Sequence, residues 1–140
     1  MRVRQDEKVV RLQSVPLFSD LRRRDLEKVA RLCTPTHADA GTVLCREGGS
    51  GHEFFVILEG SADVTIAGKT VNSLGSGDFF GELALLDGGP RVATVTTSSP
   101  LSALVLTSNE FQSLLNDEPQ VALRLLPAIG QRLRSLRATT

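Results

Sequence analysis

Residues 79–95 form the segment whose residue types and spacing best suit binding chemistry. Gly81 lacks a Cβ, so the backbone at this position can adopt a positive φ or approach a ligand closely. Residues 82–86 are good helix formers, and the first turn of a helix offers unpaired N–H groups to an anion. Arg91 follows a turn, and a guanidinium can hold a phosphate through two parallel hydrogen bonds. Together with the Glu82 carboxylate, these groups predict a site for a small ligand that carries hydroxyl groups and one anionic phosphate.

This segment resembles the phosphate-binding cassette of the cyclic nucleotide-binding domain family. The matching positions are residues 80–86, a short spacer, residues 90 and 91, one variable residue, and residues 93–95. The spacing from Glu82 to Arg91 also fits the family, which a lone Gly-Glu pair would not establish. The resemblance extends over residues 10–137, and it implies a module that binds a cyclic nucleotide.

The resemblance implies a role for each cassette residue. Arg91 is expected to bind the exocyclic oxygens of a cyclic phosphate, and Glu82 to accept a hydrogen bond from the ribose 2′-hydroxyl. Close approach and backbone N–H groups are expected from five further residues: Gly81, Leu83, Ala84, Val92 and Ala93. The alternatives are an ordinary surface arginine and a helix-start carboxylate stabilised by the helix dipole. In the empty site, we expect Arg91 to be the partner of Glu82, because a buried carboxylate needs one.

Val92 bears on the choice of ligand. In relatives that prefer cyclic GMP (cGMP), this variable position often carries a threonine whose hydroxyl meets the guanine amino group. Valine is similar in shape and has no hydroxyl. We therefore expect cyclic AMP (cAMP) as the ligand, with cGMP less favoured, and no other cofactor.

The base is expected to be covered by the last helix, which contains no aromatic residue. The chain has no Tyr or Trp, and its last Phe is Phe111. Four side chains near the C-terminus can instead supply an apolar surface or stem: Arg132, Leu133, Arg134 and Leu136.

Pro127 lies within this C-terminal helical pattern. A proline inside a helix removes one N–H and clashes with the preceding turn, so we expect a kink or break near Leu126. Two interpretations stay open: the start of a new helix, or a hinge about which the last helix closes over bound nucleotide.

The flanking patterns predict an α+β, mainly β fold: an antiparallel jelly-roll barrel flanked by N-terminal and C-terminal helices. Short β-rich runs separated by glycine turns fill residues 38–107. Before and after them, apolar residues recur at helical spacing, and residues 107–110 match a capping box. We therefore treat residues 1–140 as a single cyclic nucleotide-binding domain, with helices at 1–37, a barrel at 38–107 that holds the cassette, and helices at 108–140.

Composition argues against several other classes of protein. Sixteen basic and sixteen acidic residues cancel, which disfavours nucleic-acid binding by this chain alone. No apolar run approaches the roughly 18 residues that a membrane span needs, and the first residues lack the apolar core of a signal peptide. We expect a cytoplasmic protein that does not contact membranes.

The cysteines and histidines give no catalytic or metal-binding pattern. Cys33 and Cys45 lack metal-ligand spacing, so two reduced core thiols are expected. His37 and His52 are the only histidines, and both are expected in loops. An enzyme on a similar double-stranded β-helix, such as a metal-dependent cupin, needs clustered His and carboxylate ligands and is disfavoured.

The favoured function is therefore a binding module rather than an enzyme, in which cAMP shifts the arrangement of the flanking helices. A protein partner or effector domain would receive the signal, and the sequence does not identify it. Two alternatives remain. In the first, the chain is the sensor fragment of a regulator resembling the catabolite activator family, whose helix-turn-helix would lie beyond Thr140. In the second, it is an interaction scaffold that has lost its ligand.

Overall fold

The computed structural model describes residues 2–137, without the side chains of residues 136 and 137. This part of the chain contains eight strands: β1 (Thr34–Ala38), β2 (Val43–Cys45), β3 (Glu53–Glu59), β4 (Ala62–Ile66), β5 (Lys69–Leu74), β6 (Phe79–Phe80), β7 (Thr94–Thr97) and β8 (Leu101–Thr107). They form two antiparallel sheets of four strands, in the orders β1-β8-β3-β6 and β2-β7-β4-β5.

Helices precede and follow these sheets. They are α1 (Gln5–Gln13), a 3₁₀ turn (Pro16–Phe18), α2 (Arg23–Leu32), the short α3 (Ala84–Asp87) within the cassette, α4 (Ser108–Asp117) and α5 (Pro119–Arg137). The predicted jelly-roll barrel with flanking helices is confirmed.

Strand β3 shows how one apolar run supports both layers of the core. Phe54 and Val56 belong to the cluster formed with the helices, whereas Phe55 and Ile57 belong to the cluster between the two sheets. Alternate side chains of a strand point to opposite faces. Because both faces are covered, the strand is a continuous apolar run instead of an alternating one.

The helical layer packs on the first sheet through the predicted face of α2. Leu26, Val29 and Ala30 are buried, as is Cys33 just after the helix. Nearby, the ring of Phe18 meets that of Phe54 edge-on at 6.0 Å between centroids. Burial of apolar surface is the main favourable term in folding, so these contacts fix the helices against the barrel.

The start of α4 is as predicted. The Glu110 N–H donates to Thr107 Oγ1 at 3.2 Å, and the Thr107 hydroxyl donates to the Glu110 carboxylate at 2.8 Å. Pro119 opens α5, where its missing N–H costs nothing. Local sequence signals thus determine where both C-terminal helices begin.

Three expectations about secondary structure are wrong. Strand β1 was not predicted, and it lies mostly before the predicted start of the barrel at residue 38. His37 therefore lies in a sheet and not in the expected loop. Strand β1 is an edge strand that pairs only with β8 in its sheet, where Pro35 is tolerated and no apolar alternation is needed. After the cassette, the strand begins at Thr94 and not at the expected Val92.

Helix α5 also differs from expectation. It runs through Pro127 without the predicted break, so Pro127 does not start a new helix. Val121 and Leu125 are buried, Ile129 is partly buried against the same cluster, and Leu133 is 57% exposed. The side chain of Leu136 lies outside the described residues. The part of α5 that contacts the core therefore runs from Val121 to Ile129, and residues 131–135 beyond it are exposed.

Candidate nucleotide-binding site

The cassette joins the two sheets, leaving the first at β6 and entering the second at β7. Gly81 has φ +84° and Gly88, after α3, has φ +63°, a region that glycine adopts readily. Helix α3 is shorter than predicted and starts at Ala84. Across the turn, the main chain of Arg91 bonds to the loop before β3, through Gly48 N–H at 2.7 Å and Gly49 O at 2.8 Å.

Arg91 is held by the main chain and keeps one donor unused. Its Nη2 donates to the Glu53 carbonyl at 2.6 Å. Its Nε is buried and has no hydrogen-bond partner among the described residues. A buried donor left unpaired is costly and calls for an acceptor. A phosphate oxygen would satisfy Nε and fits the predicted role of this arginine.

Two glycines make room for the Arg91 side chain. A Cβ at Gly81 would lie 2.5 Å from Arg91 Nη1 and 2.6 Å from the Glu53 carbonyl oxygen. A Cβ at Gly51 would lie 3.0 Å from Arg91 Nε. The group that approaches Gly81 in this structure is Arg91 itself, and the close approach of a ligand expected there stays a prediction. Sequence reasoning missed the role of Gly51, for which the glycine-rich run at residues 48–51 was the available signal.

The cassette also presents free main-chain donors. In the described chain, hydrogen-bond partners are absent for four N–H groups: those of Glu82, Leu83, Val92 and Ala93. Ala84 differs, because its N–H donates to the Gly81 carbonyl at 3.1 Å. The expectation of a free donor at Ala84 is therefore wrong for this conformation, since the turn before α3 uses that N–H. Free N–H groups near a guanidinium suit an anion.

Glu82 is only 8% exposed, and its partner is not the expected one. Its Oε1 accepts a hydrogen bond from Nη1 of Arg132 on α5. Arg91 is unavailable to it, because its guanidinium is directed at the Glu53 carbonyl beside Gly81. The predicted Glu82–Arg91 pair is thus wrong, and the partner lies 50 positions away in the sequence.

These groups face a cleft of about 630 Å³. Its apolar part comes from the barrel, and includes Phe80, whose ring stacks on Phe55 at 4.6 Å between centroids. Val92 lies at the rim and is 83% exposed. Of the candidate covering residues, Arg132 lines this cleft and Leu133 lines a neighbouring groove. The cleft thus combines an apolar surface, a carboxylate and an anion-binding end.

The two thiols differ in setting. Burial raises the pKa of Cys33 to about 12, and it also raises the pKa of Cys45, which lines the cleft. Both cysteines are free, as expected. A raised pKa keeps a thiol protonated and unreactive, so neither cysteine has the character of a nucleophile.

Comparison with protein families decides what kind of cleft this is. Residues 35–118 match the model of the cyclic nucleotide-binding domain. The chain belongs to this family. A cyclic nucleotide-gated potassium channel of Rhizobium etli is 40% identical over 109 residues, which cover 78% of this chain and 30% of the channel. A cAMP-dependent protein kinase regulatory subunit of Yarrowia lipolytica is 40% identical over 106 residues, covering 74% of this chain and 28% of that protein.

Solved structures of the family share the fold. The N-terminal domain of a transcriptional regulator from Streptomyces coelicolor superposes with a TM-score of 0.82 at 30% identity, and 94% of each chain is covered. The cAMP-bound structure of PfPKA-R gives a TM-score of 0.68 at 26% identity, covering 94% of this chain and 47% of that one. This chain therefore spans less than a third of the two curated relatives, which are channel and regulatory proteins.

Two features are absent from residues 2–137. No helix in this range is long and apolar enough to span a membrane. The same residues contain no group of three or more His, Cys, Asp or Glu side chains placed to hold a metal ion.

Proposed function

We propose that this chain is a signalling module that binds cAMP in the cleft and transmits binding through rearrangement of the C-terminal helices. The observation that carries this proposal is the buried, unpartnered Nε of Arg91 beside the free N–H groups of the cassette. Such a constellation has its donors in place before a ligand arrives, and preorganised donors favour anion binding.

The phosphate end of the ligand would lie between Arg91 and the cassette backbone. Arg91 supplies Nε, while Glu53 holds Nη2 and so fixes the plane of the guanidinium. Leu83 and Ala93 contribute N–H groups from opposite sides of the turn. Ala93 is small and 8% exposed, which leaves space for a phosphate against the backbone.

The ribose end would lie at Glu82. This carboxylate has two oxygens, and one is engaged by Arg132. The other can accept the 2′-hydroxyl, because an ionised carboxylate accepts several hydrogen bonds. A charged acceptor gives the stronger kind of hydrogen bond, so the site would select nucleotides that retain this hydroxyl.

The base would occupy the apolar end of the cleft under α5. Val92, at the rim, offers no hydroxyl to the guanine amino group, and this supports cAMP over cGMP. Curated relatives include both a regulatory subunit of a cAMP-dependent protein kinase and a cGMP-dependent protein kinase, so the comparisons do not choose between the two nucleotides.

The module would act by binding and not by catalysis, in the cytoplasm, as one domain over residues 1–140. Its effector would be a protein or domain that reads the position of α5. The similarity to the domain of a transcriptional regulator, which covers nearly the whole of both chains, favours a second form of this proposal: the sensor part of such a regulator.

Calorimetric titration of nucleotide-free protein with cAMP, then cGMP, tests the proposal. We expect saturable one-to-one binding that is tighter for cAMP. A charge-assisted hydrogen bond contributes roughly 1.5–3 kcal/mol, so Arg91→Ala should weaken binding by about one to two orders of magnitude. Arg46→Ala, at an exposed arginine before the neighbouring loop, is the matched control and should bind as the wild type does. Absence of heat with both nucleotides from folded protein would contradict the proposal.

A further inference from the structure

The contact between Glu82 and Arg132 links the cassette to α5. The Glu82 side chain is 10% exposed and that of Arg132 is 52% exposed. Arg132 borders both the nucleotide cleft and a second groove of about 660 Å³ between the 3₁₀ turn, α3 and α5. One guanidinium thus lies where the ligand, the cassette and the last helix meet.

One carboxylate oxygen of Glu82 is unused by the described residues. Only Oε1 accepts a hydrogen bond from the described residues. The side-chain atoms that are both buried and unpartnered in the described chain are Asp25 Oδ1 and Arg91 Nε. Glu82 Oε2 is not among them, and the Glu82 side chain lines the nucleotide cleft. The pair with Arg132 therefore leaves an open acceptor and fixes the direction in which it points.

The second half of α5 has little contact with the core beyond Ile129, which is partly buried against it. Its first half is anchored by buried Val121 and Leu125 and by the Arg124–Asp25 pair at 2.7 Å. After Pro127, residues 131–135 are all exposed. Within the described part of this half, Arg132 is the residue that forms an ion pair.

We propose that Arg132 is a positioning residue that acts through Glu82. It orients the carboxylate so that Oε2 meets the ribose 2′-hydroxyl, and it couples that hydrogen bond to the docking of the second half of α5. This inference rests on the proposed function, because it takes the ribose to lie at Glu82. Arg132 itself contacts the carboxylate and not the hydroxyl.

The ribose hydroxyl gives a readout that a merely structural role would not change. The effects of contacting residues are commonly coupled, so Arg132→Gln should weaken cAMP binding roughly three- to tenfold. Binding of 2′-deoxy-cAMP, which lacks the hydroxyl, should change less than about twofold by the same reasoning. The preference for cAMP over its 2′-deoxy form should therefore fall in Arg132→Gln.

The experiment is calorimetry with both nucleotides on wild type, Arg132→Gln and Arg31→Gln. Arg31 is an exposed arginine on α2 that does not line the cleft and forms no ion pair with the described residues, so its variant should keep the wild-type preference. Hydrogen exchange of residues 128–137 supplies the second arm. We expect cAMP to slow exchange there in wild type, and much less in Arg132→Gln.

Each outcome has a distinct meaning. Equal losses for cAMP and 2′-deoxy-cAMP in Arg132→Gln would overturn the inference, as would an unchanged preference or identical exchange in the two proteins. In these cases cAMP still binds the wild type, and the proposed function stands. Failure of wild type to bind cAMP at all would overturn the proposed function, and the inference with it.

Discussion

Two carboxylate–arginine pairs tie α5 to the rest of the molecule, and they differ in what surrounds the spare oxygen. Asp25 is fully buried; its Oδ2 accepts from Arg124 at 2.7 Å and from the Arg22 N–H at the start of α2 at 3.2 Å, and its Oδ1 is sealed in the core. Glu82 instead lines a cleft, and its Oε2 accepts no hydrogen bond from the described residues. A carboxylate–arginine pair that is enclosed in the core anchors a helix. A pair that lines a cleft and leaves one carboxylate oxygen without a partner can also bind a ligand.

This difference predicts unequal effects on stability, which are the largest we expect. Removing one partner of a buried pair leaves an uncompensated charge, so Arg124→Leu should lower the free energy of unfolding by about 3 kcal/mol. Arg132→Leu should lower it by less than about 1 kcal/mol, because that pair is partly exposed. Urea denaturation of both variants measures the difference.

The matched control is Arg124→Leu combined with Asp25→Asn. Removing the second charge should recover part of the lost stability, since the burial of an unpaired carboxylate is then avoided. Equal losses in the two single variants would contradict the distinction between an anchoring and a recognition pair.

Two glycines, one in the cassette and one on α5, sharpen the same contrast. Gly81→Ala would place a Cβ 2.5 Å from Arg91 Nη1 at a positive φ, so we expect the affinity for cAMP to fall roughly tenfold or more. Gly130 on α5 has open space around its Cβ direction. Gly130→Ala should raise stability by about 0.5–1 kcal/mol and leave affinity unchanged.

Calorimetry and urea denaturation on these two variants separate the effects. Unchanged affinity in Gly81→Ala would mean that Arg91 does not need its observed position. Reduced affinity in Gly130→Ala would mean that the second half of α5 must bend for binding, which would favour the hinge interpretation of Pro127.

The smallest expected effect concerns the pair at the start of α5. The Gln120 amide and the Lys28 ammonium, which lies 2.5 Å from the carboxylate, hold the pKa of Glu118 below its ordinary value of 4.5. A lowered folded-state pKa contributes stability above the unfolded value, and that contribution is lost as the pH falls through the folded one. The melting temperature of Glu118→Gln should therefore lie below that of wild type near pH 6, and the gap should close below about pH 4.5. A gap that widens on acidification would contradict this assignment.

The sequence was sufficient wherever the determining signal is local. The Thr107 cap, the apolar face of α2 and the cassette spacing could be predicted, because each depends on residues a few positions apart. The ligand-binding roles of the cassette residues stay predictions until a nucleotide is titrated.

The features that were not predicted depend on residues that only the tertiary structure brings together. Arg91 was expected to pair with Glu82 because the two are close in the sequence. In the structure, Glu82 pairs with Arg132 of α5, and Arg91 donates to the Glu53 carbonyl. Strand β1 was missed because an exposed edge strand needs no apolar alternation. Periodicity and spacing carry no information on such partners.

The most direct test of the central claim is a titration with cAMP followed by NMR at the arginine Nε–H groups, with Arg91 assigned by Arg91→Lys. If a phosphate oxygen pairs with the buried Nε of Arg91, that Nε–H resonance should shift with the same saturation as the calorimetric heat. The resonance of Arg124, which serves the anchoring pair, should stay in place. An unchanged Arg91 resonance in protein saturated with cAMP would contradict the account.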